Sequence, residues 1–242
     1  MNQLKSGSTV SASLGQDRWF ISGKLRWKDP SGDWVWKDPS GNYVLSAEVR
    51  NKDDTWTISK PPPVPPDGYC MVSVDNNRVF FVGGTKSGTD CLATTYMFDI
   101  QNNSWERRND MLSGRIVSSC TRLNKDQILV TGGKCPHSDY HFNSSEIYSI
   151  STGQWSLGPS LPKGISGAQM ITVDDVTYHF GGYYFPAEYG ETTKDVYRLE
   201  KNTNPWHWKK IAELKNKIHP DCTLAPIKLS PDNCNGWKGD KN

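Results

Sequence analysis

The sequence predicts an all-β fold built from copies of one small antiparallel sheet. Three observations support this prediction: many aromatic and turn-forming residues, a double glycine that recurs at a fixed interval, and tryptophans that recur in step with it. The 242 residues include 10 Trp, 10 Tyr and 7 Phe, together with 21 Gly and 15 Pro. Aromatic residues favour strands, whereas Gly and Pro favour tight turns, so we expect short strands and no long helices.

The charge balance excludes two classes of partner. The chain carries 28 Lys and Arg against 26 Asp and Glu, a formal net charge of +2. Such a balance produces no field strong enough to attract nucleic acid or an anionic membrane, and we predict neither as a partner.

No apolar run has the length of a membrane span, and the first residues lack the apolar core of a secretory signal. The compartment is left open, with the cytoplasm as the default and an extracellular location as the alternative.

A double glycine organises the middle of the chain. It occurs three times at intervals of 49 residues, as Gly83 and Gly84, Gly132 and Gly133, and Gly181 and Gly182. An apolar or aromatic run precedes each pair, and a polar loop and a second strand-like run follow it. A tryptophan completes each unit; these tryptophans are Trp105, Trp155 and Trp206, and Trp208 comes directly after the third. One small sheet cannot bury both faces alone, so neighbouring sheets must stack, and radial stacking makes each sheet a blade of a β-propeller.

The large rings of each unit are expected to be structural. Tyr148 and Tyr197 lie in the strand-like runs that precede Trp155 and Trp206. Large flat side chains bury much area, so we expect these rings to fill the wedge between adjacent blades. The glycines allow positive φ or close backbone contact where the preceding strand ends.

These features resemble the kelch repeat, which consists of an apolar strand, a double glycine, a tyrosine and a tryptophan in that order. The resemblance covers residues 68–212 and implies three kelch-like blades there. It also implies a binding module that presents loops at one end of a propeller. No nucleophile elbow, phosphate-binding glycine loop or zinc-protease motif is present, so we predict no catalytic residue, no metal and no cofactor.

The resemblance weakens towards both ends of the chain. Residues 17–58 are predicted to form a degenerate first blade, because Trp56 precedes Trp105 by 49 residues but no double glycine stands in phase. The segment contains a duplicated Trp-Lys-Asp-Pro-Ser-Gly, in which Asp-Pro-Ser-Gly is typical of a type I turn. We expect its aromatic side chains to pack between strands. The alternative is that they form a carbohydrate-binding surface. The remaining segments are predicted as a polar tail (1–16), a strand of a further or closing blade (220–230) and a second polar tail (231–242). About four blades result, as a short ring or an incomplete arc.

The predicted partner-binding face combines the loops after each double glycine with the loops that connect blades. These loops contain aromatic, histidine and cationic residues, namely Tyr183, Tyr184, Phe185, Tyr189, His137, Tyr140, His141, Arg115 and Lys134. Aromatic rings and Arg dominate binding hot spots, because they bury area with little loss of entropy and offer directed donors. We therefore predict a protein partner. The alternative is a secreted, galactose-oxidase-like propeller that binds or oxidises carbohydrate through copper.

The six cysteines leave two further questions open. Cys70, Cys120 and Cys222 occupy equivalent positions early in successive units, which favours small buried residues on the first strand of a blade. An extracellular chain would allow a disulfide between Cys91 and Cys135.

The loop of Cys135 also contains His137 and His141, which are metal-ligating residue types. No fourth ligand stands in phase with them, so we favour a plain polar loop. The chain has two glycosylation sequons, at Asn102 and Asn143. They are relevant only if the chain is secreted.

Overall fold

The computed structural model describes residues 10–15, 18–24, 27–28, 34–35, 45–64, 67–136, 138, 140–184 and 191–216. All regular elements in these ranges are strands, and most strands belong to four-stranded antiparallel sheets. The predicted all-β fold class with four-stranded antiparallel blades is confirmed.

Blade 1 is a four-stranded sheet at the start of the chain. The first strands of the chain are β1 (Val10–Gly15), β2 (Arg18–Lys24), β3 (Trp27–Lys28), β4 (Trp34–Val35), β5 (Leu45–Arg50) and β6 (Trp56–Ser59). The blade has the order β1-β2-β5-β6, and β3 and β4 pair with each other as a separate hairpin. The first copy of the duplicated motif therefore begins in β3 and extends towards β4, while its predicted Asp-Pro-Ser-Gly turn lies outside the described residues. The second copy lies entirely outside them.

Strand β1 corrects the predicted boundary of the first blade. Residues 1–16 were predicted to be a polar tail, yet Val10–Gly15 pairs with β2 along most of its length. Its apolar residues alternate with serines, and the side chains of Ala12 and Leu14 are buried. A period of two is the pattern of a strand with one buried face, and in this segment the abundant serines obscured it.

Three further blades follow in chain order. Blade 2 contains β7 (Tyr69–Ser73), β8 (Arg78–Gly83), β9 (Thr95–Asp99) and β10 (Ser104–Arg108). Blade 3 contains β11 (Ser119–Arg122), β12 (Gln127–Thr131), β13 (Ser145–Ser149) and β14 (Gln154–Gly158). The last strands are β15 (Ile165–Ser166), β16 (Gln169–Val173), β17 (Val176–Phe180), β18 (Tyr183–Tyr184), β19 (Glu191–Thr192), β20 (Asp195–Glu200) and β21 (His207–Glu213). Blade 4 has the order β16-β17-β20-β21, and β15, β18 and β19 form a small separate sheet. The strand and tail predicted for 220–242 lie outside the described residues.

The double glycines occupy equivalent positions in blades 2, 3 and 4. All six have positive φ, between 61° and 94°. The amide of the first glycine in each pair donates to a carbonyl at the start of the third strand of its own blade, either directly before that strand or at its first residue, over 2.9 to 3.0 Å. At Gly132 a Cβ would overlap the carbonyl oxygen of Ile165, which lies in the connection to the next blade. Gly83 meets the Arg115 carbonyl in the same way, so the first glycines of blades 2 and 3 are required because the backbone of the next connection passes directly against them.

Apolar cores lie between successive blades. Phe20 of blade 1 meets Phe81 and Phe98 of blade 2 in one core. Phe80 of blade 2 meets Tyr148 of blade 3 in the next, at a ring-centroid distance of 5.6 Å. A third core joins blades 3 and 4. Stacking therefore buries the sheet faces that each blade cannot bury alone.

One indole contributes to each of these cores. Each indole Nε1–H donates to a backbone carbonyl in the connection from the preceding blade, over 2.9 to 3.0 Å. The pairs are Trp105 with Lys60, Trp155 with Asn109, and Trp208 with Pro159. The prediction that Trp206 is the third repeated tryptophan is therefore wrong. Trp208 takes that position because the turn between β20 and β21 is longer than its counterparts, while Trp206 packs only partly on the core. Tyr197 is buried, and its hydroxyl donates to Asp195. Its cross-strand partner is Lys210, whereas the equivalent Tyr148 of blade 3 faces Trp155.

The first strands of the blades lie side by side. Strand β1 contacts β7, β7 contacts β11, and β11 contacts β16. Four blades and three interblade cores make an arc in the part of the chain that the structure describes. In that part, no helix has the length and apolar character needed to cross a bilayer.

Candidate functional site

A ladder of backbone hydrogen bonds crosses the end of blades 3 and 4 where the double glycines lie. Lys134 exchanges two hydrogen bonds with Ile116, of 2.8 and 3.0 Å, and pairs with His141 on its other side. Next along the ladder, the Phe142 carbonyl accepts from the Ile165 amide over 3.1 Å, and Ile165 pairs with Tyr184. We call the residues Lys134, Tyr140, His141, Tyr183 and Tyr184 the top strip. The structure thus brings together five of the nine residues predicted for the partner-binding face.

The side chains of the top strip differ in exposure. Tyr140 is 80% exposed, which is unusual for an aromatic ring in the described residues. Tyr183 and Tyr184 are half-buried, and Tyr184 packs partly on the core between blades 3 and 4. Tyr140 is therefore the ring most available to a partner, whereas Tyr184 also has a structural role.

Lys163 is a contributor that the sequence did not reveal. Its Nζ lies 4.1 Å from the centroid of the Tyr184 ring and 2.7 Å from Asp195 Oδ2. The ammonium group therefore joins a blade connection to the ring of Tyr184 and to blade 4. A lysine in a connection carries no local signal of these contacts, because both partners come from other strands.

His141 is held in place by its neighbours. The Nδ1 atom lies 3.0 Å from the Tyr183 carbonyl oxygen, so this nitrogen carries the proton and donates it. Burial lowers the pKa of the imidazole and nearby Lys134 lowers it further, against the hydrogen bond to Tyr183. A neutral ring at pH 7 follows, so His141 orients the strip without adding a charge.

Arg115 does not belong to the predicted face. Its side chain is 0% exposed, and Nη2 lies 2.6 Å from Oε1 of Glu146, which is 1% exposed. The guanidinium also donates to the carbonyls of Gly132 and Ser144, over 2.9 and 3.2 Å. Glu146 in turn accepts from the backbone amides that precede Arg115. This buried pair fixes the connection between blades 2 and 3 and leaves no charge for a partner.

Three other predicted residues lie outside the described part of the chain. They are His137, Phe185 and Tyr189. Their membership of the face stays a prediction.

The four cysteines in the described ranges form two disulfides. Cys135 forms a disulfide with Cys91, so its sulfur is not a thiolate that could bind metal. Cys70 and Cys120 form a second disulfide between β7 and β11. Within the described ranges, no three His, Cys, Asp or Glu side chains converge on a position that could hold a metal ion.

A cleft of about 530 Å³ lies between blades 1 and 2, at the end of the strands away from the double glycines. Several amide side chains line it, including Asn51 and Asn77. Asn77 donates to Asp99 over 3.0 Å and Asn51 donates to Thr57 over 2.9 Å. These amides stabilise turns of the blades, so the cleft offers less binding chemistry than its composition suggests.

Comparison with known proteins agrees with the repeat and with the stacked sheets. The profile of the Kelch motif family matches residues 68–112, which are the strands and connection of blade 2. A solved structure of YjhT superposes with a TM-score of 0.66 over 87% of this chain and 71% of that chain, at 13% identity. That similarity shows a shared fold.

Curated relatives match at low identity. Alpha-scruin of Limulus polyphemus is 24% identical over 60% of this chain and 16% of its own length. Kelch-like protein 40 of Xenopus laevis is 24% identical over 62% of this chain and 25% of its own length. Kelch-like protein 15 of Homo sapiens is 26% identical over 64% of this chain and 28% of its own length. The chain thus spans between about a sixth and just over a quarter of the length of these relatives.

The stacked blades and the loop-built end define the class as a β-propeller domain. Within that class, residues 68–112 match the Kelch motif family, and the chain is similar to kelch-repeat proteins over about 60% of its length.

Proposed function

We propose that this chain is a non-catalytic binding module that captures a protein partner on the top strip and the loops beside it. The observation that carries the proposal is the continuous ladder across blades 3 and 4, from which the ring of Tyr140 projects with 80% exposure. A ring displayed on a hydrogen-bonded support loses little conformational entropy on binding. Binding loops on a rigid scaffold are a common arrangement in propellers and other β folds.

Similarity to the Kelch-like proteins supports protein interaction as the general role. The composition of the strip agrees with such a role. Tyr supplies an amphipathic contact surface, and Lys134 supplies a cation beside Tyr140 and His141 on the ladder. A protein partner with an apolar patch next to a carboxylate would match both groups.

The proposal is tested with a double variant, Lys134→Ala with Tyr140→Ala. Cross-linking of the intact protein in extracts of its source, followed by mass spectrometry, identifies the partner that contacts the strip. Affinity for that purified partner should fall about tenfold or more in the variant, since a hot-spot ring contributes upwards of about 1–2 kcal/mol. The thermal midpoint should change little, because neither side chain is part of a core.

The matched control is the double variant Ile58→Ala with Leu157→Ala. These side chains are 80% and 75% exposed and lie on the outermost strands of blades 1 and 3, away from the strip. Affinity should stay unchanged in the control. Equal affinity losses in both variants, or cross-links confined to the outer strands, would contradict the proposed face.

A lack of catalysis is part of the same proposal. A metal analysis of the purified protein tests it directly against the copper-oxidase alternative. Copper retained at about one equivalent per chain after dialysis would count against a non-catalytic module and in favour of that alternative.

A further inference from the structure

Blades 2 and 3 are joined covalently at two places. One disulfide links Cys70 of β7 to Cys120 of β11, 50 residues apart in sequence, with a Cα–Cα distance of 6.0 Å. The other links Cys91 to Cys135, 44 residues apart, with a Cα–Cα distance of 5.3 Å. Both separations lie in the ordinary range for disulfides. Cys70 and Cys120 occupy equivalent positions of adjacent blades, whereas Cys91 and Cys135 do not and lie in neighbouring loops that follow double glycines.

Disulfides of this kind persist in oxidising environments and are rare in the reducing cytosol. Each bond forms when two thiols transfer two electrons and two protons to an oxidised dithiol carrier, such as the disulfide of an oxidoreductase. Cys70 is buried, so the bond on the inner strands is protected from reductants once the blades have stacked. Two independent bonds across a single interface indicate a domain that folds under oxidising conditions.

The two sequons are exposed in the folded chain. Asn102 lies in the turn between β9 and β10, and its side chain donates to the Asp99 carboxylate at the surface, over 2.9 Å. Asn143 lies two residues before β13 and is also exposed. Asn143 lies at the end of the strands where the double glycines are found, and Asn102 lies at the other end of the strands. A bulky polar modification at either position would therefore extend into solvent without displacing a core.

We propose that this chain matures in an oxidising secretory compartment, where both disulfides form and Asn102 and Asn143 receive N-linked glycans. In that reaction the side-chain amide nitrogen bonds to the anomeric carbon of the donor sugar. The bond from that carbon to a lipid-linked diphosphate breaks, and the amide loses one proton. The glycan at Asn143 then borders the top strip on its blade 3 side. The glycan at Asn102 lies on blade 2, at the end of the strands away from the double glycines.

The test compares the full chain, carried into the secretory pathway of eukaryotic cells by an added signal peptide, with the same chain made in a reducing cytosol. Treatment of the secreted chain with a peptide N-glycosidase should lower its mass in two steps. Asn102→Gln and Asn143→Gln should each remove one step. Asn202→Gln is the matched control, because Asn202 is exposed in a turn but stands outside any sequon, and both steps should remain.

The disulfides are tested on the same two preparations. Peptides containing Cys70 linked to Cys120 and Cys91 linked to Cys135 should appear in a non-reducing digest of the secreted chain. The reduced cytosolic chain should have a lower thermal midpoint, and Cys91→Ser with Cys135→Ser should reproduce part of that loss. Unmodified asparagines in the secreted chain, or a thermal midpoint that reduction leaves unchanged, would overturn the proposal. Both measurements are independent of partner binding.

Discussion

At the scale of single residues, Arg115 and Glu146 form a buried ion pair beside the connection between blades 2 and 3. Both side chains are essentially inaccessible to solvent. Two charges removed from water need further hydrogen bonds to offset the cost of their burial. Here backbone carbonyls accept from Arg115 Nη1 and backbone amides of the same connection donate to Glu146, but the buried Arg115 Nε has no partner among the described residues. The pair therefore orders the connection more than it adds net stability.

A double-mutant cycle tests this role. Arg115→Met or Glu146→Gln alone should lower the free energy of unfolding by about 3–5 kcal/mol, because each leaves its partner buried without a counter-charge. The double variant should lose at least about 1 kcal/mol less than the two losses together. Urea denaturation gives all three values. Arg107→Ala is the control, since its exposed ion pair with Asp110 should contribute no more than about 1 kcal/mol. Strict additivity in the cycle would show that the two charges do not interact.

His179 is a second buried polar residue, with a different consequence. It is 0% exposed, and neither ring nitrogen has a hydrogen-bond partner among the described residues. It packs against Tyr197 and Trp208, at ring-centroid distances of 6.3 and 5.8 Å. Burial lowers its pKa from 6.5 to about 3, so the ring stays neutral in the folded state over most of the pH range.

This lowered pKa predicts acid destabilisation from the histidine. The folded-state pKa lies below the unfolded value, so the unfolded chain binds the proton first and stability is lost as pH falls from about 6.5 towards 3. The slope from this residue should approach about 1.4 kcal/mol per pH unit. His141, whose pKa burial also lowers, adds in the same direction. Aspartates with lowered pKa values, such as Asp90 beside the Thr85 hydroxyl, act only below about pH 4.

His179→Phe separates these contributions. Free energies of unfolding measured from pH 7.5 to 4.5 should decline less steeply in the variant than in the unaltered protein. Parallel curves would mean that His179 is protonated, or solvated, in the folded state. A variant that unfolds at every pH would be replaced by His179→Leu, which removes the same titration.

At the scale of elements, each outer strand of blades 2 to 4 places one indole against the preceding blade. Trp155 illustrates the arrangement: it is 9% exposed, its ring centroid is 5.0 Å from that of Tyr148, and its Nε1–H donates to Asn109. On the same strand the side chain of Leu157 is 75% exposed. Strand β14 therefore contributes to the interface mainly through one residue.

Substitutions on β14 should differ sharply for this reason. Trp155→Ala should lower the free energy of unfolding by about 3–5 kcal/mol, through lost burial and a residual cavity. Leu157→Ala, as the matched control on the same strand, should change it by no more than about 0.5 kcal/mol. Guanidinium unfolding followed by fluorescence provides both values. A small effect at Trp155 would mean that the wedge between blades 2 and 3 collapses around the missing ring.

At the scale of the whole molecule, the blades are packed unequally. Blades 2 and 3 each contribute to two of the described cores and are joined by both disulfides. Blades 1 and 4 each contribute to one. The face of blade 4 opposite His179 carries Tyr178 and Phe180, whose rings are half-buried. Because stacked repeats are stabilised by their neighbours, local stability should follow this order.

Hydrogen exchange measured by mass spectrometry should reveal the gradient. Amides of β8 and β12 should be the most protected, and amides of β17 and β20 should exchange faster, since fewer described contacts must break to expose them. Reduction of the disulfides should narrow the difference. Equal protection in all four blades would indicate that the outer face of blade 4 is covered in solution.

The repeat could be predicted from sequence because its signals are local and periodic. Gly132 is required by a backbone crossing that also occurs at Gly83, and Trp155 by a wedge that recurs between blades, so both residue types appear at a regular interval. The strand at Val10–Gly15 and the correct third indole, Trp208, were missed because they depart from that interval.

The amino-acid sequence by itself therefore determined the all-β class, the blade unit and the end of the arc where Tyr140, Lys134 and His141 meet. Only the tertiary structure decided that Arg115 is buried against Glu146 and that Cys70 bonds to Cys120. Those outcomes depend on which positions of neighbouring blades face each other across an interface. Such contacts join residues 31 and 50 positions apart, and no local pattern of residue types encodes them.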